Sequence, residues 1–176
     1  MPVTHTPNVP TLVILIGIPA SGKSSFCRSY LYDSHVRINR DQLKTKYREH
    51  LLLDACICGR QSFVVDNTNV SRAVRAPFIA QARKTGFRVI GYYFSSMLNE
   101  AMERNRQREG AARIPDQGVA GMASRLELPD YGEGFDELWY VRMDGSGGFQ
   151  VEEWCSGESC SHALVPSQSG PDMVYM

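Results

Sequence analysis

Residues 17–24, Gly-Ile-Pro-Ala-Ser-Gly-Lys-Ser, come directly after the apolar run Leu12-Val13-Ile14-Leu15-Ile16. A β-branched run of this kind reads as a buried strand, and Ser24 to Tyr32 reads as a helix entered through a glycine-rich turn. Strand, G-x-x-x-x-G-K-[ST] pattern and helix in that order commit the chain to an α/β fold. Backbone N–H groups and the positive end of the helix then face one point, which suits the phosphate tail of a nucleotide.

Each position of the pattern has a physical task. Gly17 and Gly22 permit backbone angles and a close approach that a Cβ would obstruct. Lys23 is expected to reach the β- and γ-phosphates, and the Ser24 hydroxyl to ligate Mg²⁺. Ile18, Pro19, Ala20, Ser21 and Ser25 complete the cradle, with Pro19 stiffening it. A strand-turn-helix corner that merely contains Gly-Lys-Ser is the plainer alternative, and the flanking strand argues against it.

Strand-like runs recur at Thr11–Ile16, Val36–Asn39, Ser62–Asp66, Arg88–Phe94 and Glu137–Val141, separated by helical patterning. That alternation predicts a parallel sheet covered by helices, with ligands at the carboxyl ends of its strands. Between the second and third strands, Leu43, Tyr47, Leu51, Ala55 and Cys58 predict one helix with a buried stripe over 42–60. Ser71 and Gly86 bracket a further helix to Lys84, buried through Val74, Phe78 and Ala82, whose Pro77 predicts a kink or a true start near residue 76. After residue 144 Gly, Ser and Pro dominate. The expected division is therefore a flexible arm at 1–10, a domain over 11–144 and a flexible tail over 145–176, with a short strand near Phe149–Trp154 and the Trp154 ring exposed or transiently docked.

Charge is divided in the same way. Residues 1–141 hold 18 Lys/Arg against 14 Asp/Glu, and 142–176 hold 1 against 5. A mildly basic body is compatible with a nucleic-acid partner without requiring one. Five scattered cysteines form no disulfide framework, and no disulfide is expected. Cys155, Cys160 and His162 have the residue types for half of a metal site, but no second half with suitable spacing is present, and no metal is expected there. Neither a signal peptide nor a membrane-length apolar stretch occurs, so a soluble, intracellular protein of cytoplasm or nucleus is expected.

Three clusters fall at strand ends or in a region able to close over a nucleotide. In Ile38-Asn39-Arg40-Asp41, Asp41 can accept a hydroxyl proton while Arg40 orients a phosphate, or Asp41 can be a helix N-cap. In Asp66-Asn67-Thr68-Asn69, Asp66 can hold a Mg²⁺-bound water, while asparagines here are also turn formers. In Arg104-Asn105-Arg106-Gln107-Arg108, Arg104 and Arg108 share a helical face. They can stabilise a transferring phosphoryl group or simply complement a helix dipole.

Taken in order, these motifs, with Arg125-Leu-Glu-Leu-Pro and Glu133-Gly-Phe, resemble the kinase domain of 5′-hydroxyl polynucleotide kinases over about residues 11–141. The resemblance implies a P-loop NTPase three-layer α/β/α fold, with a five-stranded parallel sheet in order 2-3-1-4-5 and an adenylate-kinase-like lid. It implies ATP and Mg²⁺ as cofactors and the 5′-hydroxyl of DNA or RNA as acceptor. Lys23, Asp41 as general base and Arg108 at the moving phosphate would be catalytic. Gly17 to Ser25 with Arg104 and Arg106 would border ATP, and Ser24 and Asp66 the metal. Arg40, Lys44, Asp66, Asn67, Thr68 and Asn69 would shape the acceptor side.

Two departures bear on this. Phage-type enzymes carry arginine where this chain has Lys44, and lysine is a point charge without the planar fork. No D-x-D-x-T phosphatase motif occurs, so kinase activity alone is expected. A nucleoside or small-metabolite kinase of the same architecture, and an NTP-binding interaction module without transfer activity, are the alternatives.

Overall fold

The computed structural model of the protein describes residues 9–155. β1 (Thr11–Ile16) is the axis of a six-stranded sheet, with β2 (Val36–Ile38), β3 (Phe63–Val65), β4 (Arg88–Phe94), β5 (Glu137–Met143) and β6 (Phe149–Glu153) in order β2-β3-β1-β4-β5-β6. The first five strands are parallel and keep the expected order 2-3-1-4-5. β6 adds an antiparallel sixth on β5, pairing Val141 with Val151 and Met143 with Phe149, so the expected count of five is corrected to six. The two are joined by a tight hairpin in which Asp144 Oδ1 accepts the Ser146 and Gly148 N–H groups.

The short strand expected near Phe149–Trp154 is present at Phe149–Glu153 and joins the sheet, where composition otherwise suggested the start of a flexible tail. Glycine and serine in 144–148 serve a turn, and Phe149 anchors β6 by packing edge-on against Phe26 at 5.3 Å. Trp154 is docked, its ring 5.2 Å from Tyr93. The expectations for 1–8 and 156–176, including Cys160 and His162, lie outside the described residues.

β1 shows why the sheet is covered on both faces. Leu12, Ile14 and Ile16 point to one side, into a core with Leu53, Cys56, Phe78, Ile79 and Phe135. Val13 and Leu15 point to the other, against Phe26, Cys27, Leu31 and Phe149. A strand buried on both faces reads as continuous hydrophobicity, as this one does.

Six α-helices are described: α1 (Lys23–Tyr30), α2 (Arg40–Leu43), α3 (Lys46–Cys58), α4 (Arg72–Lys84), α5 (Leu98–Arg106) and α6 (Asp116–Ala123). The single helix expected over 42–60 is broken in two at Lys44, whose φ is 70°, and Thr45 caps α3 through the Arg48 N–H. The buried face of α3 is also not the expected one. Glu49, Leu53 and Cys56 point inward, whereas Tyr47 and Leu51 are 71% and 52% exposed. Apolar residues lie all round this helix, so spacing alone permits two stripes; the polar partners of Glu49 select one.

In α4, Ser71 caps the helix as expected, accepting the Val74 N–H. Pro77 does not move its start, because that cap and the contacts of fully buried Arg75 hold the first turn. Arg75 makes a bidentate pair with Glu133 at 2.7 Å and donates to the carbonyls of Asn69 and Glu127. It ties α4 to the loop after β3 and to the segment before β5, while Val74, expected inside, is exposed. Among the described residues, no helix is long and apolar enough to cross a membrane.

Candidate active site

Parallel register gathers the chemistry at one sheet end. Val65 lies beside Ile14 on one side and Ile38 on the other, so Asp66, Asn39 and the loop after β1 emerge together. The Gly17 N–H donates to Thr68 O at 3.0 Å, fastening the phosphate loop to the 66–69 loop. The buried Asn69 amide donates to Leu15 O at 2.8 Å and Val65 O at 3.1 Å, closing the ends of β1 and β3 over the core.

Gly22 begins α1 with φ of 99° and without a side-chain cap, so the first-turn N–H groups keep their capacity for an anion. A Cβ there would stand 3.0 Å from the Phe149 ring, so the β5-β6 hairpin walls the loop directly. Lys23 is buried, its ammonium donating to Gly17 O at 2.9 Å, Ile18 O at 2.6 Å and Ser21 Oγ at 3.2 Å. Burial lowers its pKa from 10.5 to about 7; Asp66 opposes that shift and Arg108 adds to it.

Ser24 Oγ donates to Asp66 Oδ1 at 3.3 Å, while Oδ2 accepts Arg37 Nε at 2.7 Å and Nη2 at 2.6 Å. Asp66 is 2% exposed, and both its oxygens are engaged. The Asn39 amide donates to Asp66 O, and its Oδ1 caps α2 by accepting the Gln42 N–H at 3.0 Å. Asn39, not Asp41, is therefore the N-cap. Asp41 stands one residue inside α2, exposed.

The lid helices pack on the phosphate loop through Ile18, which is buried with Ala101 and Val119. Arg104 Nε donates to Ala20 O at 2.8 Å, and Arg106 pairs loosely with Asp116 at 3.6 Å. Arg108 does not share a helical face with Arg104, because α5 ends at Arg106 and the Asn105 side chain turns the chain back by bonding Ile114 at both its N–H and its carbonyl. Arg108 is exposed yet near enough to Lys23 to act on its charge. Arg40 is held by Glu49, and Lys44 is exposed at the end of α2.

Arg37, Glu49, Arg75 and Asn105 were missed in the sequence. Arg37 and Arg75 sit inside apolar patterning that hides their pairing, and Glu49 reads as an ordinary surface charge on a helix. Glu133 stood within a recognised motif, but nothing local revealed its partner. Of the cysteines, Cys27, Cys56 and Cys58 are free as expected. Cys155 is disulfide-bonded, because scattered cysteines exclude a framework and not a single bridge.

Sheet order, phosphate loop and lid define a P-loop domain of the kinase type. The profile of a family described as an AAA domain matches residues 44–129, just under half of the chain and beyond the phosphate loop. The chain is 28% identical over 131 residues to a bifunctional polynucleotide phosphatase/kinase of Schizosaccharomyces pombe, covering 72% of this chain and 32% of that protein. It is 27% identical over 139 residues to a putative bifunctional polynucleotide phosphatase/kinase of Acanthamoeba polyphaga mimivirus, covering 75% and 33%. The resemblance to polynucleotide kinases carried by the motifs thus extends along the domain, and the chain spans about a third of the length of these relatives. In fold it matches Chaetomium thermophilum Kti12 in complex with ADP-AlF3, with a TM-score of 0.60 at 17% identity over 76% of this chain and 89% of that one.

Proposed function

We propose that this chain is an ATP- and Mg²⁺-dependent kinase domain that phosphorylates the 5′-hydroxyl of a nucleic acid, with Asp41 as general base. The observation that carries the reading is the Asn39 cap: it frees the Asp41 carboxylate from backbone duty at the strand end next to Asp66 and the phosphate loop. The polynucleotide phosphatase/kinase relatives supply the acceptor class.

In this reading the N–H groups from Gly17 to Ser25 and the Lys23 amine bind the β- and γ-phosphates, and Arg104 and Arg106 border the nucleotide. Asp41 takes the proton of the acceptor hydroxyl as its oxygen attacks the γ-phosphorus in line and the bond to the β-phosphate oxygen breaks. Arg108 binds the equatorial oxygens of the moving phosphoryl group, where charge develops. Lys44 and Thr68 border the acceptor, while Arg40 and Asn67, tied to Glu49, and buried Asn69 shape that side from behind.

Ser24 and Asp66, whose oxygens converge at 3.3 Å, would hold Mg²⁺, with the nucleotide phosphates as its other oxygen donors. Among the described residues no group of three or more His, Cys, Asp and Glu could hold an ion unaided. Bound there, Mg²⁺ neutralises phosphate charge. A panel of 5′-hydroxyl DNA and RNA oligonucleotides, nucleosides and sugars with γ-labelled ATP tests the acceptor. Oligonucleotide labelling that falls with rising salt supports the reading, and labelling confined to small molecules overturns it.

A further inference from the structure

We propose that Glu49 is a positioning residue that holds the proposed general base Asp41 in place through a closed polar clasp; this rests on the kinase reading. Its carboxylate is 2% exposed, at the start of α3. Oε2 accepts Arg40 Nε at 3.1 Å and, more closely, Nη2. Oε1 accepts the Asn67 amide at 2.8 Å, and Asn67 Oδ1 accepts the Arg40 backbone N–H at 3.0 Å. The four links form a ring joining the end of β2, the end of β3 and the first turn of α3.

The ring matters because the other holds on α2 lie at its far end: Leu43 packs partly on the core, Arg37 Nη1 donates to Gln42 Oε1 at 3.2 Å, and Arg48 Nη1 donates to Leu43 O at 3.4 Å. The helix is four residues long with no buried side chain, and it ends at Lys44 with φ of 70°. A helix this short neither propagates cooperatively nor packs a full stripe, so the polar links at its start fix the turn that carries Asp41. Those links are the Asn39 cap and the clasp on Arg40, the residue next to Asp41. Arg40 accordingly acts by fixing backbone, its guanidinium committed to Glu49. Lys44, the C-cap of α2, is exposed, as are Lys46 and Arg48 beyond it.

Glu49→Gln keeps the size of the side chain and an acceptor for Asn67 but removes the charge that holds Arg40. Two readouts apply. Amide hydrogen exchange over residues 40–44 is expected to accelerate at least about tenfold relative to α4, whatever the acceptor proves to be. Transfer to a 5′-hydroxyl oligonucleotide is expected to lose at least about tenfold in kcat with the KM for ATP unchanged. Arg40→Gln should lose a similar factor, and the double variant no more than the worse single, because both break one ring.

If Glu49→Gln does not fold, Asn67→Ala opens the ring without stranding a buried charge and must speed the same amides. Unchanged exchange in the folded variant, wild-type kcat, or losses that multiply in the double variant would each overturn the clasp. A wild-type protein that labels no oligonucleotide defeats the kinase reading instead, and the exchange measurement still decides the clasp.

Discussion

Ser24 Oγ lies 3.3 Å from Asp66 Oδ1, so the residue after the phosphate-loop lysine and the residue after β3 meet across the sheet end. In the proposed kinase reading this pair, 42 residues apart in sequence, would hold the cation. Ser24→Ala should weaken Mg²⁺-dependent ATP binding by about tenfold or more, while binding without the metal changes little. Titration calorimetry with and without Mg²⁺ measures the difference.

Lys23 makes the protein pH-sensitive. Its folded pKa of about 7 lies below the ordinary 10.5, so the unfolded chain binds more protons between those values and stability rises with pH across that window. The burial cost of the ammonium is present in full below pH 7 and is relieved above it. Above about pH 9 the Cys27 thiol, pushed up to about 11 chiefly by burial, works in the opposite direction. Denaturant melts from about pH 7 to about pH 8.5 should gain stability in wild type and less in Lys23→Met. ATP binding at about pH 8 should take up protons, up to about one per site, as the phosphates restore the ammonium; calorimetry in buffers of different ionisation enthalpy reads this directly.

The fully buried Arg75 and its partner Glu133 are predicted to be structural. Removing one partner strands a buried charge, so Arg75→Met or Glu133→Gln should each destabilise by about 3–5 kcal/mol. Urea melts of the single and double variants measure it, with the double less damaged than the sum of the singles.

Most of the fold was legible because the elements that set it are local. The strand β1, the phosphate loop, the Ser71 cap and the Gly86 stop are each written in a few consecutive residues. What was hidden is long-range pairing. Glu49 looks like a solvated charge until Arg40 and Asn67 are brought to it, and with it goes the rotation of α3. The strand near Phe149–Trp154 was legible, but its pairing with β5 was not, because Val151 and Trp154 stand among polar residues and glycines that belong to a turn. At the site, motif spacing gave Lys23, Ser24 and Asp66 together. It could not show that Arg37 holds Asp66, that Asn39 caps α2, or that Arg108 leaves the helical face of Arg104.

The two lid arginines are expected to separate kinetically. Arg104 holds the phosphate loop at Ala20 O, so Arg104→Ala should raise the KM for ATP severalfold with a smaller change in kcat. Arg108 is free of helical packing and lies near Lys23. Arg108→Ala should lower kcat by about 10²-fold with the KM for ATP little changed, as for other groups that meet charge only in the transition state. Steady-state kinetics over ATP concentration distinguishes the two.

The central claim is that Asp41 takes the proton of an acceptor hydroxyl. Transfer of label from γ-labelled ATP to a 5′-hydroxyl oligonucleotide, by wild type and Asp41→Asn under matched ATP saturation, tests it most directly. The expected result is robust labelling by wild type and a loss of about 10²-fold or more in Asp41→Asn, with ATP binding intact. Equal labelling by the two proteins, or none by wild type under conditions where it binds ATP, would contradict it.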